Sequence, residues 1–187
     1  MTADRSLVRG VAVVTTCAAA LSVTVLVSAV RERNGLPNAA NQFLQASIQA
    51  GALTTCLQGA RDDLYVGEVP QVHNQYKVAG AMDRLRSCDT TSLTTALDKI
   101  RLPPAAALTD ASRRRARGDI VTGTAMLRRV ILDARGARLA FERQIDGERD
   151  GTAVVLAYRS AESGSDAAYA LADEALALLG HPQSSTG

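Results

Sequence analysis

Few residues in this protein have types and spacings suited to chemistry. "SRRRARGD" at 112–119 sets Arg113, Arg114, Arg115 and Arg117 within five residues. Four guanidiniums so close together could grip an anionic surface such as a lipid headgroup, a wall polymer or nucleic acid. Nucleic acid fits worst and is not expected as a partner. No aromatic residue interleaves the run to stack on bases, and the 21 basic residues of the sequence are nearly balanced by 19 acidic ones. The embedded "RGD" is too short to carry a function. The plainer expectation is a solvated helix start that faces acidic residues of a later helix.

Cys56 and Cys88 form the second constellation. They stand symmetrically about position 72, inside "GEVPQVHNQY". If that stretch forms a turn between antiparallel helices, the two cysteines come level. In an exported domain such a pair oxidises to a disulfide. The two histidines, His73 and His181, have no Cys or His at ligand spacing, so no metal is expected. No "GxGxxG", "GxxxxGK[ST]" or nucleophile elbow occurs, and Asp62-Asp63 and Asp173-Glu174 read as surface carboxylates. No catalytic or cofactor-binding residue is assigned, no cofactor is expected, and the sequence does not read as an enzyme.

The compartment is set by "GVAVVTTCAAALSVTVLVSAV" at 10–30, an uncharged run between Arg9 and "RER". As a helix it is about 31 Å long, close to the apolar thickness of a bilayer. Its Thr and Ser residues can bond their own helix backbone. The run is longer than the core of an ordinary signal peptide, so an uncleaved anchor fits better than a signal cut after Ala29. Residues 1–9 then form a short head on the inner side. The following domain lies outside the cytoplasm, since a long C-terminal part follows a short N-terminal one. Arginines at both flanks leave the charge rule nearly balanced.

Residues 31–180 are long enough to form a single core. Trp is absent and Phe occurs only at 43 and 141, so small and medium aliphatics must build that core. Such a composition suits close-packed helices. Lysine occurs only at 77 and 99, and this arginine-for-lysine, alanine-rich usage is what a GC-rich bacterial genome produces.

Apolar residues at helical spacing predict a first helix over about 38–65, ended by "VGEVP". Val78, Met82 and Leu85 mark a second, with a kink at "CDTTS" and a continuation through Leu93, Leu97 and Ile100 to "LPP". Thr109 or Asp110 caps a long third helix that reaches Ile145 despite Gly118, Gly123 and Gly136. "DGERDG" at 146–151 is a turn signal. Residues 152–158 could form a strand, but helix is the better reading because no partner strand is visible. Residues 181–187 read as a disordered tail.

The expected fold is therefore all-α: a transmembrane helix, then an up-down four-helix bundle with a kinked second helix. Antiparallel packing of the last two helices would bring Asp166, Asp173 and Glu174 toward the arginine run. The functional expectation is a membrane-anchored, extracytoplasmic module with a binding or structural role in a cell-envelope complex. It would contact the bilayer through 10–30 and a membrane or envelope protein through the domain. Two alternatives remain: a ligand-sensing bundle acting through a membrane partner, and a small all-helical exported enzyme. An arginine- and carboxylate-lined pocket would favour the enzyme. A solid alanine–leucine core with an apolar surface stripe would favour the module.

Overall fold

The computed structural model describes residues 35–67, 69–147 and 151–180. The expected head, the membrane anchor at 10–30 and the tail at 181–187 lie outside the described residues. Among the described residues no helix is long and apolar enough to cross a membrane.

The described part is all-helical apart from one two-residue hairpin. The described part of helix α1 covers 35–64, and Leu36, ahead of the expected start at about 38, is already helical and buried. Strands β1 (Tyr65–Val66) and β2 (Val69–Pro70) follow, antiparallel, with Tyr65 opposite Pro70. The sequence marks this stretch only as a helix break. Gly67 at φ +64° supplies the left-handed residue the tight connection requires.

Helix α2 (Gln75–Ser87) begins where the Asn74 side chain accepts hydrogen bonds from the Tyr76 and Lys77 amides. The expected kink is instead a full break. Cys88 leaves helical geometry at ψ 74°, and its N–H bonds back to the Arg84 and Leu85 carbonyls. Asp89 then accepts from the Thr91 amide at 3.0 Å and the Thr91 hydroxyl at 2.8 Å, which starts a separate helix, α3 (Thr91–Lys99). Short polar residues that bond their own backbone favour caps over helix interiors, and three of them in succession end one helix and start another.

A 3₁₀ turn (Ala105–Ala107) leads to α4 (Ala111–Ile145), which Asp110 caps through the Ser112 amide. Helix α5 (Gly151–Leu178) includes 152–158, which is helix and not strand. The core is built mainly from alanine and leucine, with Phe43 and Phe141 as its two fully buried aromatic rings.

Glycines and alanines set the closeness of the packing. Gly123 in α4 receives the Phe43 ring of α1, and a Cβ there would overlap it. A Cβ on Gly164 of α5 would stand 2.9 Å from Val130 Cγ2 of α4. Gly123, which weakens α4 as an isolated helix, is thus the position that lets α1 pack against it. At the far end of the same contact, the buried Tyr65 hydroxyl donates to Gln144 Oε1 at 2.9 Å. The Arg61 guanidinium lies 5.2 Å from the centre of the Tyr65 ring.

Candidate binding groove

A groove of about 630 Å³ lies between α1 and α3. From α1 it takes Asn41, Gln42, Gln45 and Gln49. From α3 and its cap it takes Asp89, Thr91, Ser92, Thr95 and Lys99, with Ala96 between them. Volumes of roughly 300–1,000 Å³ are typical of small-ligand sites.

The groove exists because of what stands on these two faces. Amphipathic helices normally meet through apolar stripes. The inward face of α1 carries such a stripe: Phe43, Ala46, Ala50 and Leu57. The amides lie on the neighbouring face. Opposite them α3 presents hydroxyls, while its own apolar residues, Leu93 and Leu97, turn into the core. Two polar faces that do not interdigitate leave an open trough between them.

The Cys56–Cys88 disulfide fixes one end of this trough. The sulfurs are bonded, with the Cα atoms 5.6 Å apart. A smaller pocket of about 190 Å³ is lined by both cysteines and also by Gln49, Asp89 and Ser92, so it continues the groove. The bridge ties the C-terminal part of α1 to the point where α2 ends and α3 begins. Just beyond it, Arg84 pairs with Asp63 at 2.6 Å and lies over Gly59.

The electrostatics of the groove are mild. Asp89 at one end is held below the usual carboxylate range, first by the Thr91 hydroxyl and then by the Thr91 amide. It therefore stays ionised and already occupies the amide donor at the start of α3. Lys99 supplies a positive charge at the other end. Among the described residues, Gln42 Oε1 and Gln49 Oε1 are closed off from solvent and have no hydrogen-bond partner. A buried polar atom left without a partner costs about 1–3 kcal/mol, so the fold carries a cost at this site.

The groove is not among the sites expected from the sequence. A signal for it exists: Asn41, Gln45 and Gln49 recur at intervals of four, as do Thr91, Thr95 and Lys99. The stronger apolar period of the same helices conceals it.

The arginine run meets the expectation only in part. Arg115 does pair with Glu174 of α5. Arg114 instead donates to the Leu108 carbonyl at 3.1 Å and the Thr109 carbonyl at 2.7 Å, and Arg117 donates to the Pro103 carbonyl at 2.8 Å. Among the described residues no ion pair joins Asp166 or Asp173 to the run. The reason is local: the irregular 100–110 segment leaves carbonyls with no helical donor, and the adjacent guanidiniums satisfy them. Arg113 is half-buried. Beside the Arg115–Glu174 pair, burial and then the Glu174 charge raise the pKa of Asp119, against a smaller lowering by Arg115. In α5, burial and a hydrogen bond to Glu162 push the Tyr158 hydroxyl up to about 12.

Among the described residues no three His, Cys, Asp or Glu side chains cluster to hold a metal. Comparison with protein-family models, with curated proteins and with solved structures finds no match, and so assigns no enzymatic activity.

Proposed function

We propose that this protein is an exported helical module, tethered to a membrane by residues 10–30, that binds a ligand or partner segment for a cell-envelope complex. One observation carries the reading. The groove between α1 and α3 is lined by amides and hydroxyls and continues into a pocket walled by the Cys56–Cys88 disulfide. A bridge of this kind persists in oxidising compartments and is rare in the cytosol, which supports export. Amides and hydroxyls are recognition groups. The groove has no arginine and only one carboxylate, already engaged by Thr91, which favours binding over catalysis.

The domain is best understood as an up-down four-helix bundle in which α2 and α3 together form the second unit. The contact pairs support this arrangement. Cys56–Cys88 and Asp63–Arg84 set α2 antiparallel to α1. Phe43 on Gly123 and Tyr65 on Gln144 set α4 parallel to α1. Asp133–Ser160 at 2.6 Å and Arg115–Glu174 set α5 antiparallel to α4.

The test is a topology measurement on the full-length protein in its native membranes. Non-reducing peptide mapping should recover the linked Cys56 and Cys88 peptides. Protease added from outside the cytoplasm should reach the domain while it remains bound to membranes. Free thiols at both positions, together with a domain released into the cytoplasmic fraction, would contradict the proposal.

A further inference from the structure

We infer that the groove receives the backbone of an extended peptide segment of about four residues, held between two ladders of hydrogen-bonding side chains. This rests on the binding role proposed above and specifies its ligand. Asn41, Gln45 and Gln49 form one ladder, and Thr91, Thr95 and Lys99 form the other. Each steps every four residues, a rise of about 6 Å along a helix. An extended peptide repeats its like-facing N–H and C=O groups every two residues, about 6.8 Å. The two intervals nearly match. A primary amide offers a donor and an acceptor together, and so can meet one backbone carbonyl and one backbone N–H at each step.

Length and charge agree with this assignment. Each ladder covers eight residue steps, about 12 Å, which is the reach of about four extended residues. The two helices run in opposite directions along the groove. Gln49 shares the smaller pocket with Asp89 and Ser92, which leaves Asn41 at the Lys99 end. One end is therefore acidic and the other basic, complementary to the free amine and carboxylate of a short peptide. A phosphate is disfavoured at the start of α3, where Asp89 already takes the Thr91 amide. No aromatic ring lines the groove to pack against a sugar face.

The experiment uses the full-length protein in detergent micelles with its bridge intact, titrated calorimetrically with three probes. These are tetra-alanine with free termini, the same peptide acetylated and amidated, and maltotetraose. The free peptide should bind saturably and the blocked peptide more weakly. Gln45→Met and Thr95→Val, both at exposed positions, should each weaken binding about tenfold, as expected for loss of one or two hydrogen bonds, without lowering the melting temperature. Peptide binding that both variants leave unchanged would place the site elsewhere and overturn the inference. Maltotetraose binding that the variants abolish would overturn the peptide assignment while keeping a ligand-binding groove. If none of the three probes binds, the inference fails, and the tethered, exported module stands or falls on its own topology test.

Discussion

The α4–α5 pair and the α1–α3 pair are both antiparallel helix contacts, yet one is closed and the other open. Helices α4 and α5 bury the small residues Ala134, Ala137, Ala161, Ala168 and Ala172, and Gly164 lets Val130 of α4 reach the α5 backbone. Small side chains draw helix axes together and leave no room for ligand. Between α1 and α3, long amides face short hydroxyls and about 630 Å³ stays open. Helix direction is alike in the two pairs, so side-chain chemistry decides which becomes core and which becomes a site.

Removing the disulfide should produce the largest effect. It closes a loop with a sequence separation of 32 residues, for which the loop-entropy estimate is about 3–4 kcal/mol. In Cys56→Ser/Cys88→Ser, denaturant unfolding should show that loss. Hydrogen exchange should show α3 losing protection before α4 and α5, because only the α1–α3 side depends on the bridge. Equal loss over both pairs would mean that the bridge supports the whole domain, and the contrast would weaken.

Gly123→Ala comes next. Its Cβ would overlap the Phe43 ring, and over-packing of a dense core costs about 1–3 kcal/mol. A melting temperature within a degree of the parent would show that the α1–α4 contact has slack.

Charge reversal at Arg115 should be smaller. Arg115→Glu sets a third carboxylate beside Glu174 and Asp119. The pair is largely exposed, so its loss should cost no more than about 1 kcal/mol and shrink at high salt. Reversal at Arg117, which donates to the Pro103 carbonyl, should be insensitive to salt. This comparison separates ion pairing from backbone capping within a single run.

Asp119 offers the finest test. Its folded pKa lies above its ordinary value, so ionisation costs stability in the folded state. Asp119→Asn should raise the melting temperature slightly at neutral pH. The gain should fade as pH drops through the raised folded pKa, where the parent carboxylate becomes protonated. Asp89 works in the opposite sense. Its lowered pKa contributes stability above the ordinary carboxylate range, and this is lost as pH falls through the folded value.

Helix at 152–158 rested on the absence of a visible partner strand, whereas the helical class and a cap at Thr109 or Asp110 could be read from periodicity and composition. Those properties are local, and each residue's neighbours in sequence decide them. The break at Cys88–Asp89 was half legible: cap residues were visible, but whether they bend a helix or end it depends on the backbone bonds each of them makes. The partners of Arg114 and Arg117 were not legible, because the carbonyls they satisfy lie in an irregular segment whose path no period describes. The groove is not legible in the sequence because polar residues on a helix read as solvent-facing until another helix is laid across them.

The most direct measurement of the central claim, that the α1–α3 face is a site and not packing, is the stability of Gln42→Leu/Gln49→Leu. Both glutamines hold an acceptor out of solvent without a partner. If the amides are kept for a ligand and not for packing, removing those buried acceptors should raise the melting temperature of the unliganded full-length protein, and loss of the Gln49 rung should weaken binding of tetra-alanine. A melting temperature lowered by several degrees would show that the amides hold α1 and α3 together, and the groove would then be part of the packing.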